Sequence, residues 1–426
     1  MRAAATYGRQ KEPRWGEHEI GQVQSVERPS RRMPVPEGTA MSASPQSFAQ
    51  TRTGWAATAW TVDHVRMIAE QEHATAPVIG DGDFYRISDD LDIWDAWPVQ
   101  EPGGAPASLR DGSTLWMALG SPRFEDPDER HAHARIHLLH KEGGVWLPLG
   151  PAMPDGFSPG SREWSGSAVA DRELNTVTLY FTATGRRGEG QPTFEQRIFA
   201  ATATLHQRDP RPRLDDWRDL REIVVRDPVH YMASDSGPSA VGAIKAFRDP
   251  FYFADPAGGR AYLLFAGSAA ESTSDFNGVV GVARADSQAP DGWRTMAPLI
   301  SADGLNNELE RPHVVVRDGR YYLFWSTQSH VFDPTGPVGP TGLYGMVGDS
   351  MAGPWQPLNG SGLVFANPPD APRQAYSWLV LPDLRVISFV DDWGGGARGN
   401  SARNFGASFA PILQLKVEGD SAGLAL

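Results

Sequence analysis

The chain has 426 residues, no cysteine and a formal net charge of −13 at pH 7. The acidic balance argues against a nucleic-acid partner, because phosphate binding needs a cationic surface. The lack of cysteine excludes disulfides, thiol nucleophiles and thiolate metal sites, and no apolar run reaches the length of about eighteen residues that a membrane helix needs.

Residues 1–45 are polar, contain proline and show no core pattern, so we expect a disordered tail there. They contain no apolar segment typical of a secretory signal, and Met41 is an alternative start of translation. No linker long enough to divide the remaining residues is present. We therefore expect one domain over residues 46–426.

The most helix-like stretch runs from Gln46 to Ala74, with a capping-type start at Thr61-Val62-Asp63 ahead of His64 to Gln71. Beyond it, short apolar alternations separated by Gly, Pro and Asp predict antiparallel strands. These strands are Thr114 to Leu119, Ala134 to Leu139, Val145 to Leu149, Val177 to Thr182, Gln196 to Thr204, Ala261 to Phe265, Gly278 to Ala283, His313 to Val316, Tyr321 to Ser326, Leu343 to Val347, Ser377 to Leu381, Arg385 to Val390 and Phe409 to Gln414.

The turns between these strands predict hairpins. In Arg317-Asp318-Gly319-Arg320, for example, Asp-Gly tolerates the positive φ angles that a tight hairpin requires. Successive hairpins of this kind indicate a propeller, a barrel or a sandwich. No sequence repeat of fixed period distinguishes among the three.

Asp95 lies between two tryptophans in Asp92-Ile93-Trp94-Asp95-Ala96-Trp97-Pro98. Considered alone, it fits equally well an Asp that caps a turn beside core aromatics. Carboxylates recur downstream in aromatic or arginine-flanked settings, in Glu163-Trp164-Ser165-Gly166-Ser167, Phe247-Arg248-Asp249-Pro250 and Glu308-Leu309-Glu310-Arg311-Pro312-His313. This recurrence favours acid/base and nucleophile chemistry on a polyol or sugar.

The tripeptide Arg-Asp-Pro occurs three times, at residues 208–210, 226–228 and 248–250, so its context must decide its meaning. The third copy follows an apolar run and precedes the aromatic strand Phe251-Tyr252-Phe253. Asp249 in that setting is expected to be partly desolvated and held by Arg248, which indicates a functional carboxylate.

Glu308 and Glu310 are two residues apart, and the alternation of an extended strand sends both side chains to one face. Two like charges at that spacing raise each other's pKa, as suits an acid that must donate a proton to a leaving oxygen. The alternative is a solvated strand edge with a surface Glu–Arg pair.

Two further motifs suggest other chemistry, and both are rejected. His131, His133, His137 and His140 invite a metal interpretation, but on a strand the first three point one way and His140 the other, with no nearby pair of carboxylates. Ser165 lacks the Gly-x-Ser-x-Gly frame of a nucleophilic serine, so we expect it to donate a hydrogen bond.

At these residues the chain resembles glycoside hydrolase family 68, the levansucrases, inulosucrases and related β-fructofuranosidases. The resemblance spans about residues 85–415 and includes, in order, Ile93-Trp94-Asp95-Ala96-Trp97-Pro98, Glu163-Trp164-Ser165-Gly166-Ser167, Phe247-Arg248-Asp249-Pro250, Glu310-Arg311-Pro312-His313, Ser329-His330, Leu343-Tyr344-Gly345 and Gln374-Ala375-Tyr376-Ser377. The ordered set is far more specific than any single motif.

The resemblance implies an all-β, five-bladed β-propeller with a central axial active-site funnel. It implies sucrose as donor and sucrose, growing fructan or water as acceptor, with no cofactor and no metal. Asp95 matches the position of the family's nucleophile, Asp249 that of the transition-state stabiliser and Glu310 that of the general acid/base. The positions that bind the substrate are matched by Trp94, Trp164, Ser165, Arg248, Glu308, Arg311, His330 and Tyr376.

Four positions bear on the product and on metal binding. Ala266, in Phe265-Ala266-Gly267-Ser268, replaces a pocket-supporting carboxylate that members of the family commonly carry, which leaves the acceptor preference open. Ala243 and Asn307 stand where calcium-binding members have Asp, so we expect no structural calcium there. His330 matches a position associated with acceptor binding and polymer length, which favours short fructo-oligosaccharides as the main product.

The leading hypothesis is a levansucrase-type fructosyltransferase that cleaves sucrose by a retaining double displacement. A β-fructofuranosidase that mainly hydrolyses sucrose is the alternative within the family, and a non-catalytic sugar-binding propeller is the alternative from another class. The family generally acts outside the cell, so we expect secretion. With no signal peptide visible, export needs a noncleaved route or a different start of translation.

Overall fold

The computed structural model describes residues 55–173, 175–207, 211–237, 242–286, 289–394 and 403–425. The predicted tail over residues 1–45 and the first Arg-Asp-Pro tripeptide, residues 208–210, lie outside these ranges. Within them, no helix combines the length and the apolar character needed to cross a membrane.

The α-helix α1 spans Val62–Glu70 and confirms the helix predicted after Thr61. The backbone N–H of Thr61 donates to Nδ1 of His64 at 3.0 Å, an arrangement that fixes the first turn as a capping box does. Val65 and Ile68 are the buried residues of the helix. Because they are three positions apart, they lie on one face and join the core.

Most other regular structure is extended, and the strands are numbered in chain order. The first half comprises β1 (Thr58–Ala59), β2 (Leu91–Gln100), β3 (Thr114–Pro122), β4 (Arg135–Glu142), β5 (Val145–Pro151), β6 (Arg162–Asp171), β7 (Thr176–Thr184), β8 (Gln196–His206), β9 (Arg213–Val224), β10 (Phe247–Ala254) and β11 (Ala261–Ser268). The second half comprises β12 (Gly278–Asp286), β13 (Ala289–Ser301), β14 (Glu310–Arg317), β15 (Arg320–Thr327), β16 (Gly342–Gly348), β17 (Gln356–Pro357), β18 (Leu363–Ala366), β19 (Ala375–Val380), β20 (Arg385–Val390), β21 (Leu413–Glu418) and β22 (Ser421–Leu424). Short 3-10 helices span Pro127–Ala132 and Ser329–Val331. The protein is all-β, as predicted.

Antiparallel pairing forms five meanders within the described ranges: β2 to β5, β6 to β9, β10 to β13, β14 to β18 and β19 to β22. Consecutive strands pair in each, except that β17 and β18 both pair with β16. The first two meanders are joined by a short parallel pairing of Val99 with Ala168, and β1 pairs parallel with β13. Each meander begins with one of the strands β2, β6, β10, β14 and β19, which we call the first strands. Each first strand contacts the next one, and β19 contacts β2.

Every first strand has a register shift near its N-terminal end. The shifts lie between Trp94 and Trp97, Trp164 and Gly166, Arg248 and Phe251, Glu310 and His313, and Tyr376 and Leu379. Four non-glycine residues within them have positive φ angles, at Asp95, Asp249, Arg311 and Ser377. A bulge frees a residue from the ladder and turns its side chain, so the same level of each first strand is available for a site.

The hairpin predicted at residues 317–320 is confirmed. Arg317 pairs with Arg320 across β14 and β15, and the two residues between them have φ angles of 50° at Asp318 and 76° at Gly319. Positive φ at both central positions is the geometry of a type I′ turn, whose twist matches that of the flanking strands.

Two expectations about regular structure are wrong. The strand expected from Phe409 begins only at Leu413, as β21. His131 and His133 do not lie on a strand at all, because the chain forms a 3-10 helix over Pro127–Ala132 with Pro127 in its first turn and His133 as its C-cap.

Candidate active site

A single cavity of about 460 Å³ lies where the N-terminal ends of the first strands meet. All eleven predicted site residues line it: Trp94 and Asp95 from β2, Trp164 and Ser165 from β6, Arg248 and Asp249 from β10, Glu310 and Arg311 from β14, Tyr376 from β19, Glu308 just before β14, and His330 from the second 3-10 helix. Residues up to 282 positions apart in sequence, from Trp94 to Tyr376, thus form one site.

Asp95 is half-buried, has a φ angle of 50° and lies at the register shift of β2. The hydroxyl of Ser165 donates to Oδ2 of Asp95 at 2.8 Å, which confirms the donor role predicted for this serine. The bond fixes one carboxylate oxygen. The other oxygen has no side-chain partner among the described residues and is available to a ligand.

One wall of the cavity is aromatic. Trp94 and Trp164 are both buried, and Nε1 of Trp164 donates to the carbonyl oxygen of His131 at 3.2 Å. The guanidinium of Arg130 lies 5.5 Å from the ring centroid of Trp94. Buried indoles whose orientation is fixed in this way suit contact with the apolar face of a sugar ring.

Arg248 is the central cation of the site. Its Nη2 atom lies 2.8 Å from Oε1 of Glu310 and 3.3 Å from Oε1 of Glu308, and its Nε atom lies 3.7 Å from Oδ2 of Asp249. The side chain is 6% exposed, so these contacts are shielded from water and salt. Its Nη1 atom is buried and has no hydrogen-bond partner among the described residues, which leaves a donor for a ligand hydroxyl.

Asp249 is buried at a φ angle of 61°. Its backbone N–H donates to Oγ1 of Thr182 at 2.9 Å, which fixes the bulge in place. Burial raises the pKa of Asp249 above its usual range, and the negative charges of Glu310 and Asp95 raise it further, while Arg248 opposes the shift. The three predicted catalytic carboxylates therefore lie close enough to interact through their charges.

Both oxygens of Glu310 have partners. Oε1 accepts from Arg248, and Oε2 accepts from the hydroxyl of Tyr376. The pKa of Tyr376 is raised well above its usual value by burial and by the charge of Glu310, so the phenol remains a hydrogen-bond donor across the physiological pH range. Glu310 is thus positioned by one charged and one neutral donor.

The like-charge effect predicted for Glu308 and Glu310 is found at Glu308. Burial raises its pKa, Glu310 adds to the shift, and Arg248 opposes it. Only Glu310 belongs to β14, which begins at that residue. Their proximity therefore results from the shared contact with Arg248 and not from strand alternation alone.

Arg311 lines the cavity, but its guanidinium forms hydrogen bonds with neighbouring strands. Its Nη1 atom donates to Oγ of Ser377 at 2.8 Å and its Nη2 atom donates to the carbonyl oxygen of Ala96 at 2.6 Å. These bonds join β14 to β19 and β2. His330, by contrast, is exposed at the rim of the cavity.

The sequence reasoning missed an ionic cluster on the cavity wall. Arg403 bridges Asp128 and Asp391, and all three line the cavity together with the buried Arg130. Burial raises the pKa of Asp391, and Arg403 opposes this shift. The acidic pair at residues 391–392, directly after a predicted strand, was the one local signal for this cluster.

The histidine cluster is dispersed in the fold. Nδ1 of His131 contacts the carbonyl oxygen of Asp128, and Nε2 of His140 contacts Oγ of Ser113 at 2.7 Å. His137 is buried, and its pKa is lowered to about 4 by burial. Across the described part of the chain, no group of three or more His, Asp or Glu side chains is arranged to hold a metal ion.

A Gly166→Ala substitution tests how strongly β6 depends on the close packing at this position. A Cβ atom at this position would lie 1.9 Å from the carbonyl oxygen of Tyr180, so Gly166→Ala must displace the strand that carries Ser165. We expect a loss of at least about 2 kcal/mol of unfolding free energy, measured by chemical denaturation. Gly103→Ala, where a Cβ meets nothing within 4 Å, is the control, and equal stability of the two variants would contradict the close-packing explanation.

Comparison with known proteins agrees with this geometry. The family model described as Levansucrase/Invertase matches residues 50–277 and 271–425. A levansucrase of Rahnella aquatilis is 30% identical over 411 residues, which cover 87% of this chain and 94% of the relative. Among solved structures, the inulosucrase from Halalkalicoccus jeotgali bound to kestose has a TM-score of 0.78 and 33% identity, covering 87% of this chain and 95% of that one.

A levansucrase from Gluconacetobacter diazotrophicus has the same fold at 24% identity, with a TM-score of 0.75 and coverage of 87% of this chain and 90% of that one. The family match extends over nearly the whole described chain, and six of the seven motifs that first indicated the family contribute residues to the cavity. The seventh, Leu343-Tyr344-Gly345, lies buried in β16. The chain therefore belongs to glycoside hydrolase family 68, the levansucrase/invertase family.

Proposed function

We propose that this protein is a levansucrase-type fructosyltransferase, which cleaves sucrose and transfers the fructosyl unit to sucrose, fructan or water. The observation that carries the proposal is the meeting of Asp95, Asp249 and Glu310, from three different strands, in one cavity beside Arg248. A retaining mechanism needs one carboxylate as the nucleophile and a second as the general acid. The third carboxylate lies near the charge that develops on the sugar.

In the first step, Asp95 attacks the anomeric carbon of the fructosyl unit through the oxygen that Ser165 leaves free. The bond from that carbon to the glucosyl oxygen breaks, and Glu310 gives its proton to the departing oxygen. The products are a covalent fructosyl ester on Asp95 and free glucose. Because Ser165 holds Oδ2 of Asp95, the nucleophile has little freedom to rotate away from the sugar.

In the second step, the carboxylate of Glu310 removes a proton from the acceptor hydroxyl, whose oxygen attacks the same carbon and releases Asp95. Tyr376 and Arg248 hold Glu310 in both steps. We propose that Asp249 contacts the fructosyl hydroxyls and that this contact strengthens as positive charge develops on the ring. Two displacements at one carbon restore its configuration.

We also propose that the five meanders are the five blades of a propeller and that the cavity is its axial funnel. Support comes from the first strands, each of which contacts the next until β19 meets β2. A closed arrangement leaves no first strand at an exposed edge. Bulges at the same level of each first strand then direct the side chains there toward one centre.

For the product, we propose short fructo-oligosaccharides. His330 is at the exposed rim, where an acceptor enters, and the similar inulosucrase from Halalkalicoccus jeotgali was solved with kestose bound. Mainly hydrolytic action is the alternative, because water competes for the same fructosyl intermediate. We propose that the protein acts outside the cell, as the family resemblance implies, and assay of the culture medium for the activity tests this.

The test is incubation of the purified protein with sucrose, followed by assay of glucose and fructose and by chromatography of the products. Release of glucose in excess of free fructose, with trisaccharides and longer products, is the expected result. Equal release of the two sugars would favour the hydrolytic alternative. Binding of sucrose with no glucose release would show a non-catalytic sugar-binding protein instead.

A further inference from the structure

Lys245 places a buried ammonium group between the segments that carry the catalytic residues. The residue is 4% exposed. Its Nζ atom donates to the carbonyl oxygen of Asp275 at 2.5 Å, to Oδ1 of Asn277 at 3.0 Å and to Oδ1 of Asn307 at 3.0 Å. An ammonium has three N–H donors, so each has a partner.

The three partners are neutral oxygens, one from a backbone carbonyl and two from side-chain amides. Oxygens of this type usually surround a hard cation, and the ammonium is a compact point charge with a similar demand. Arginine, which this chain prefers elsewhere, has a planar fork that does not suit three converging oxygens. Lysines are rare here and occupy only Lys11, Lys141, Lys245 and Lys416.

We propose that Lys245 is an internal cation that takes the place of a structural metal ion and sets the position of the carboxylates relative to Arg248. Lys245 is a positioning residue, since it contacts neither substrate nor the reacting atoms. This inference rests on the proposed active site, but its stability consequences can be measured without any substrate.

Lys245 is linked to the active site on two sides, through the start of β10 and through the segment before β14. On one side, Lys245 is three residues before Arg248, and its carbonyl oxygen accepts from Nε2 of Gln196 at 3.0 Å. Oε1 of the same glutamine accepts from the backbone N–H of Phe247 at 3.0 Å. The start of β10 is thereby held from two directions.

On the other side, Asn307 directly precedes Glu308. Its Oδ1 accepts from Lys245, while its Nδ2 donates to the carbonyl oxygens of Gly242 at 3.1 Å and Ile244 at 3.3 Å. The amide therefore joins the loop before β14 to the loop before β10. Loss of the ammonium leaves buried oxygens without a donor, which is costly in a protein interior.

The negative charge of Glu308 acts on Lys245, as does that of Asp275. Burial lowers the pKa of the ammonium, and these two carboxylates oppose the shift. Lys245 thus belongs to the same electrostatic network as Arg248, and its loss changes the field at the carboxylates as well as the loop geometry.

The experiment compares two substitutions. Lys245→Met keeps a chain of similar length but removes the charge, whereas Lys245→Ala leaves a space lined by the three oxygens. We expect both variants to lower kcat about 10- to 100-fold, with a smaller change in KM and a shifted pH profile of kcat. Lys416→Met, at an exposed lysine, is the matched control and should behave as the unsubstituted protein.

Cation rescue provides the decisive readout. Addition of methylammonium chloride or calcium chloride should raise the Tm and the kcat of Lys245→Ala but not those of Lys245→Met, whose side chain fills the space. The unsubstituted protein should not respond to a chelator or to either salt. Rescue of Tm in the absence of sucrose supports the internal cation even if the protein does not turn sucrose over.

Either of two results would overturn the inference. One is a Lys245→Met variant with unchanged Tm, kcat and pH profile. The other is a folded Lys245→Ala variant that no cation stabilises. Should Lys245→Ala fail to fold, the Tm, kcat and pH profile of Lys245→Met decide the question alone.

Discussion

Asp95→Asn should lower the kcat for glucose release from sucrose by at least about four orders of magnitude. The amide has nearly the size of the carboxylate and can still accept the hydrogen bond from Ser165, but it is not a nucleophile and forms no fructosyl ester. Initial rates of glucose release at saturating sucrose measure the effect, and circular dichroism establishes that the variant is folded.

Asp92→Asn is the matched control, because Asp92 is a buried carboxylate in the same strand. Its Oδ1 accepts from Nη2 of Arg86 at 2.9 Å, and it does not line the cavity. We expect this variant to lose Tm while retaining kcat. The nucleophile assignment is wrong if Asp95→Asn keeps more than about a hundredth of the original rate, or if the two variants lose activity equally.

Arg248→Met should destabilise the protein by about 3–5 kcal/mol at neutral pH, because it leaves buried carboxylates without their counter-charge. Asp249, Glu308 and Glu310 all contact this guanidinium. Activity should fall as well, since Arg248 holds Glu310. Chemical denaturation gives the free energy of unfolding, and Arg66→Met, at an exposed ion pair of α1, should cost less than about 1 kcal/mol.

The effect of Arg248→Met should grow with pH. Burial already raises the pKa of Asp249 and Glu308 in the folded state, and Arg248 opposes that shift. Without Arg248 both values rise further above those of the unfolded chain, which are about 4. In the unsubstituted protein both carboxyls have a pKa of about 7, so both folded proteins hold these protons at pH 5. Above about pH 7 only the variant keeps them, so the stability difference between the two proteins grows as pH rises through 7. A difference between variant and unsubstituted protein that is the same at pH 5 and pH 7.5 would contradict this account.

The fold could be predicted where a strand alternates and its turn has distinctive residues. The hairpin at Asp318-Gly319 and the helix after Thr61 are such cases. Strand β9 was not predicted, because charged residues dominate it and positive φ angles at Asp216 and Asp219 interrupt its alternation. The short strands β17 and β22 lie within turn-rich segments, where local pattern is weak.

The site could be predicted where its residues lie in compact motifs. Asp95, Asp249 and Glu310 each have aromatic or arginine neighbours in sequence, and the family resemblance supplied the set to which they belong. The contact of Arg403 with Asp128 could not be found in this way, because 275 residues separate the two and only the fold brings them together. The contact of Lys245 with Asn307 also depends on the fold, since 62 residues separate them.

The bulges of the first strands also restrict which amino acids can serve at the site. Asp95 and Asp249 occupy left-handed backbone positions, which Asp and Asn tolerate better than most other residues because their short side chains interact with the local backbone. Glutamate lacks that advantage, and Glu310 precedes the left-handed residue of its own strand instead of occupying it. The backbone conformation at these positions thus favours the short side chain of Asp, independently of the chemistry. Exchanging Asp for Glu at either bulge therefore changes the backbone conformation as well as the reach of the carboxylate.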